Sequence, residues 1–286
     1  MANIKDKLLN TIKKISKDKK DNLIGKIVEE PLYKRLPENT TTLTASFEPH
    51  VIKKNRKGGE KDLVYIANEI PYEVAWRYNC ENSEWYNVGI SSSENISIDG
   101  LIIFESVISY KLKDLEYPNI ILYHTHPKKF SEISAKRRYD NYIEMIKEQG
   151  KENEFNQKRL ERTKKFNLFY YDCVSSLPST EDIKTCAILQ TQRETFFGYS
   201  SGFHMGIASK IGITIATIDG DLSTFCSIIK TYNPIDSNLW KRVSSITKEL
   251  SNNFNNPLDY QTVNNRLFKS INEEIKGLKL EFFPIE

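Results

Sequence analysis

Asn119-Ile-Ile-Leu-Tyr-His-Thr-His-Pro127 is the stretch on which the reading of this chain turns. Its apolar run, Ile120 to Tyr123, has the length and β-branched content of a short buried strand, and Pro127 stops the ladder beyond it. Side chains alternate across a strand, so His124 and His126 point to one face, about 7 Å apart along the chain. Two imidazoles so placed can converge on one metal ion. An H-x-H pair also arises in sheets by chance, so a metal site needs a further ligand from elsewhere.

Outward from that strand, residues 63–78 are apolar and aromatic with Pro71 inside, and they predict strand, interruption, strand. Arg56-Lys-Gly-Gly59 before them reads as a loop. Tyr86-Asn-Val-Gly-Ile90 and Leu101-Ile-Ile-Phe104 read as strands of a meander. After Pro127 the character changes. Residues 128–170 are rich in Lys, Arg, Glu and Gln, and Tyr139, Tyr142, Ile143 and Ile146 fall at helical spacing, so a charged helical insertion is expected over 128–177. Strand character returns at 166–173, a helix is expected at 180–190, and Gly206-Ile-Ala-Ser209 with Ile211 to Ile218 closes the sheet. Leu239, Val243, Ile246 and Leu250 predict a helix, as do residues 258–276; Ile4, Leu8, Ile12 and Ile15 predict one within 4–30. The expected architecture is mixed α/β, a curved β-sheet flanked by helices. A basic, partly helical extension spans 1–60, the histidine-bearing domain spans 61–228, and a helical extension spans 229–286.

Composition bounds the function. The 286 residues are 39% hydrophobic and 28% charged, ordinary values for a soluble protein. A net charge of +3 gives no special support to nucleic-acid binding. Residues 1–60 hold 14 Lys/Arg against 8 Asp/Glu, which reads as a solvated basic helix rather than a site for an acidic partner. Cys80, Cys173, Cys186 and Cys226 form no C-x-x-C and read as reduced thiols of a cytoplasmic protein. The N-terminus lacks the apolar core of a signal peptide, and no stretch is apolar enough for a membrane span.

A catalytic zinc takes three protein ligands and keeps a position open for water. The third candidate is Asp182, in Leu177-Pro-Ser-Thr-Glu-Asp-Ile183. Ser179 followed three residues later by an acid is equally a helix N-cap, a relative of the capping box that needs no metal. Both readings share one geometry, because a capped helix start holds Asp182 rigidly and leaves the Ser179 hydroxyl near the ion. His50 and His204 have no partner at ligand spacing.

Together, an upstream Glu, His124-Thr-His-Pro127 and Pro178-Ser-Thr-Glu-Asp-Ile183 resemble the signature of the JAMM (JAB/MPN-type) zinc metallopeptidases, over roughly residues 62–220. The family places seven residues between H-x-H and S-x-x-D; here 52 separate His126 from Ser179, and the excess coincides with the helical insertion. A second register sets Ser134 near the family spacing, but Arg137 then stands where the acid belongs and Asp140 is displaced by a turn. The resemblance implies an MPN-like fold and Zn²⁺ held by His124, His126 and Asp182. It implies a general base on an early strand, for which Glu73 in Pro71-Tyr-Glu-Val-Ala-Trp76 fits, with Glu69, Glu94 and Glu105 as rivals. Ser179 would hydrogen-bond the developing oxyanion. The implied reaction is cleavage of peptide or isopeptide bonds in a protein substrate, including bonds that join ubiquitin or a ubiquitin-like modifier to lysine. An inactive MPN-type scaffold and a RadC-like, nucleic-acid-linked protein are the alternatives. The 128–177 insertion is placed to cover the cleft, bind substrate or recruit a partner.

Overall fold

The computed structural model describes residues 30–35, 51–90, 119–151, 157–197, 203–220, 222–232, 237–250 and 260–285. The strands are β1 (Val51–Lys53), β2 (Val74–Asn79), β3 (Glu84–Ile90), β4 (Ile120–Thr125), β5 (Phe203–Ser209), β6 (Gly212–Ile218) and β7 (Leu278–Pro284). They form one sheet of order β1-β3-β2-β4-β5-β6-β7, in which only β4 and β5 run parallel. The helices are α1 (Arg56–Glu69), α2 (Lys128–Glu148), α3 (Gln157–Ser175), α4 (Thr180–Phe197), α5 (Leu222–Thr231), α6 (Ser237–Leu250) and α7 (Tyr260–Glu274). The mixed α/β class expected from sequence is what the chain adopts.

Alternation along the strands sorts the core into two layers. Trp76, Tyr78, Ile121, Tyr123, Ile213 and Ile215 face α1, with Leu63 and Ile66 packed against them. Leu122, Met205, Ile207, Ala216 and Leu280 face the other way, toward Phe169, Cys173, Ile183, Phe225 and Leu267 of the helices on that side. Burying each Leu, Ile, Met or Phe among them contributes about 1.5–3 kcal/mol. His124, between Tyr123 and Thr125, therefore belongs to the second face, the one that α3 and α4 cover.

Three elements differ from the sequence expectation. Residues 56–69 are a helix, not a loop and a strand: Asn55 caps it by accepting Gly58 N–H at 2.8 Å. Gly59 is there for clearance, since a Cβ would come within 2.1 Å of the Trp85 ring. Residues 166–173 belong to α3 rather than to a strand, because Phe169, Tyr170 and Cys173 at helical spacing meet the core. The C-terminal segment is not purely helical, since β7 pairs antiparallel with β6 along its whole length. Predicted elements within 4–30 and at 101–104 lie outside the described residues.

The insertion is an antiparallel helical hairpin of α2 and α3. Ser131 Oγ, in the first turn of α2, donates to the Tyr171 carbonyl near the end of α3 at 3.3 Å. Both of its feet thus stand at the end of β4.

Candidate metal centre

β4 delivers the histidines as alternation requires. His124 pairs with Ala75 of β2 on one side and Ile207 of β5 on the other. The next residues leave the strand slowly: His126 N–H still donates to the Ala208 carbonyl at 2.7 Å. That bond continues the parallel ladder by one step and holds His126 on the face of His124. Pro127 then opens α2.

Asp182 arrives from the start of α4. Its Oδ2 lies 3.3 Å from His124 Nε2 and 3.6 Å from His126 Nε2, and the two Nε2 atoms are 3.0 Å apart. Three ligands at zinc bond lengths of about 2.0–2.1 Å in tetrahedral array stand about 3.3 Å from one another. The observed triangle has that size, and its donor set of two imidazole nitrogens and one carboxylate oxygen suits a divalent metal ion. His126 is further prepared for a ligand's role. Its Nδ1 lies 2.7 Å from the Ser175 carbonyl, which can only accept, so Nδ1 carries the proton and Nε2 presents its lone pair.

The electrostatics match. Burial alone would raise the Asp182 pKa, but the two imidazoles overcome it and hold the carboxyl well below its usual range. Burial likewise opposes a charged His126, yet Asp182, Glu73 and the Ser175 carbonyl together raise its pKa.

Glu73 precedes β2. Val74 N–H donates to Thr125 Oγ1 at 3.0 Å, tying the start of β2 to the residue between the two histidines. Continuing the register of Ala75 with His124 sets Glu73 opposite His126, on the same face. Glu73 is buried, and its pKa is raised by that burial against the pull of His126 and His124. A carboxyl whose pKa burial raises, beside a candidate metal-ligand cluster, is suited to accept and return a proton. Ser179 caps α4, and its Oγ accepts Asp182 N–H at 3.1 Å.

The other candidates fall elsewhere. Asp140 is exposed on α2, and Glu69 is exposed at the end of α1. His204 is on β5 with its Nδ1 2.8 Å from Thr217 Oγ1, on the sheet face opposite His124. Glu94, Glu105 and His50 lie outside the described residues. Sequence reasoning missed two supports: the Ser175 carbonyl, and Tyr232, whose buried hydroxyl donates to the Pro178 carbonyl at 2.7 Å. A backbone carbonyl carries no residue-type signal, and Tyr232 is 53 residues beyond Ser179 in sequence.

Among the described residues no helix is long and apolar enough to cross a membrane. Compared with protein-family models, with characterised proteins and with solved structures, the chain gives no match.

Proposed function

We propose that this chain is a zinc-dependent hydrolase of peptide or isopeptide bonds, with His124, His126 and Asp182 as metal ligands. The observation that carries the reading is the meeting of three ligand atoms, all within 4.8 Å of one another, with a buried carboxyl on the same sheet face. A zinc ion held by these atoms supplies Lewis acidity, which polarises a carbonyl and makes water a competent nucleophile near neutral pH. Glu73 takes the proton from the attacking water and passes it to the leaving amine. The Ser179 hydroxyl uses its oxygen for Asp182 N–H, which leaves its proton to donate to the carbonyl oxygen as negative charge develops there. His126, with Nδ1 tied to Ser175, keeps its ring plane fixed throughout. The motif resemblance supports an amide bond as the target, including a modifier joined to a lysine.

The test combines metal analysis with hydrolysis of quenched peptide and lysine-isopeptide substrates. The reading expects about one zinc per chain, amide hydrolysis by wild type, and none by His126→Ala or Glu73→Gln. Purified protein that holds no stoichiometric metal even after incubation with zinc would sink it.

A further inference from the structure

Asp172, in the last turn of α3, is fully buried and stands three residues before the Ser175 carbonyl that orients His126. Its Oδ2 accepts from Lys210 Nζ at 2.6 Å and from the Tyr260 hydroxyl at 2.9 Å. Lys210 sits in the β5–β6 turn, two residues past Ala208, whose carbonyl accepts His126 N–H. Tyr260 opens α7 and its ring stacks on Phe169 of α3, with centroids 4.9 Å apart. Asp172 therefore fastens the end of the inserted hairpin to the β5–β6 turn and to the C-terminal helix α7 together.

The connection runs on to the ligand by hydrogen bonds. Ser175 Oγ donates to the Asp172 carbonyl at 2.8 Å, which closes the last turn of α3, and the Ser175 carbonyl meets His126 Nδ1. Beside it, Asn264 Nδ2 of α7 donates to Ser176 Oγ at 3.2 Å, and Ser176 Oγ donates to the Cys173 carbonyl at 2.7 Å. Burying a carboxylate is costly unless it is paired, and here the pairing is spent on one turn of helix. Such outer partners of a ligating imidazole fix its tautomer and ring orientation.

We infer that Asp172 is a positioning residue of the metal centre, holding the Ser175 carbonyl where it keeps His126 in its Nδ1–H tautomer. The inference rests on the metal-centre reading proposed above. It makes the insertion and α7 parts of the site rather than attachments to it. The loss expected on breaking the clamp is about 10–100-fold in metal affinity, the usual range for outer partners of a metal ligand.

Two readouts on the full chain separate this role from simple stability. The first is Zn²⁺ and Co²⁺ affinity of the folded protein, measured by chelator competition. The second is the ¹⁵N signature of the His126 ring in metal-free protein at a pH where the ring is neutral. Asp172→Asn is the direct variant. Should it not fold, Asp172→Leu/Lys210→Met removes both charges together and leaves no buried ion unpaired. The expected result is weakened metal binding with a mixed His126 tautomer, while Lys210→Arg keeps wild-type values. Lower thermal stability with unchanged affinity and an unchanged His126 signature overturns the inference. If wild type binds no metal but its Nδ1–H tautomer is locked and the variants release it, the hydrolase reading fails and the positioning role stands.

Discussion

Ser179 and Asp182 bind each other twice: Asp182 N–H donates to Ser179 Oγ at 3.1 Å, and Ser179 N–H donates to Asp182 Oδ2 at 2.6 Å. The same Oδ2 stands 3.3 Å from His124 Nε2. The cap of α4 and the third candidate ligand thus share one atom.

Ser179→Ala separates the two uses of that turn. Losing the acceptor for Asp182 N–H costs about 1 kcal/mol of stability, read as a lower Tm. The Ser179 N–H still holds Asp182 Oδ2, so metal content stays near wild type. Hydrolysis falls about 10²–10³-fold if the hydroxyl serves the developing oxyanion. A fully active Ser179→Ala protein would remove that donor from the mechanism.

Asp182→Asn strips metal, whereas Asp140→Asn on the exposed face of α2 leaves it bound. Elemental analysis of the two variants decides between the registers. Metal loss from Asp140→Asn alone would contradict the geometry at the start of α4.

With Glu73 as the proposed base rather than a ligand, Glu73→Gln should keep metal and lose about 10²–10⁴-fold in turnover. Its raised pKa also sets a stability test in metal-free protein. The folded state holds the Glu73 proton more tightly than the unfolded chain, so ionisation costs stability as pH rises from the ordinary carboxyl value to the raised one. Metal-free Glu73→Gln should therefore melt higher than metal-free wild type at neutral pH, and the gap should close in acid below the ordinary carboxyl pKa. Denaturation curves at several pH values check this; equal stability at every pH would mean that the carboxyl is not buried.

Thiol chemistry reports on the core behind the site. Cys80 and Cys226 are exposed, whereas Cys173 and Cys186 are buried, and burial with the nearby Asp182 pushes the Cys186 thiol up to about 12. Two thiols should react with a maleimide in the native protein and two more only on unfolding. Fast modification of all four in the folded chain would show that the α3–α4 layer opens readily.

Strand β4 and its histidines were legible because an apolar run, an H-x-H and a Pro are local signals. Asp182 was legible for the same reason, as Ser179 and Asp182 form a four-residue motif whatever separates them from β4. Residues 56–69 were not, because Gly58 and Gly59 signal a turn while the Trp85 ring, 26 residues past Gly59, requires the glycine. The Phe-Tyr-Tyr run of α3 carries strand-forming residues, and only the core it meets selects the helix. Strand β7 did carry a signal: Leu278, Leu280 and Phe282 alternate with Lys279 and Glu281, the period of a half-buried strand. The supports of His126 are a carbonyl and a pair of residues 38 apart, Asp172 and Lys210, and no local pattern points to either.

The hairpin of α2 and α3 has a bearing on chain entropy. Closing a loop of n residues costs about (3/2)RT ln n, so each doubling of length adds only about 0.6 kcal/mol. Here even that is reduced, because the two arms lie side by side, and the Ser131–Tyr171 bond already brings the feet of the loop together. Once the arms have paired, the span left to close runs from His126 to Ser131 at one foot and from Tyr171 to Asp182 at the other. The length of the arms is therefore nearly free to vary, and only the first turn of α2 and the last turn of α3 are tied to the His124–His126–Asp182 cluster.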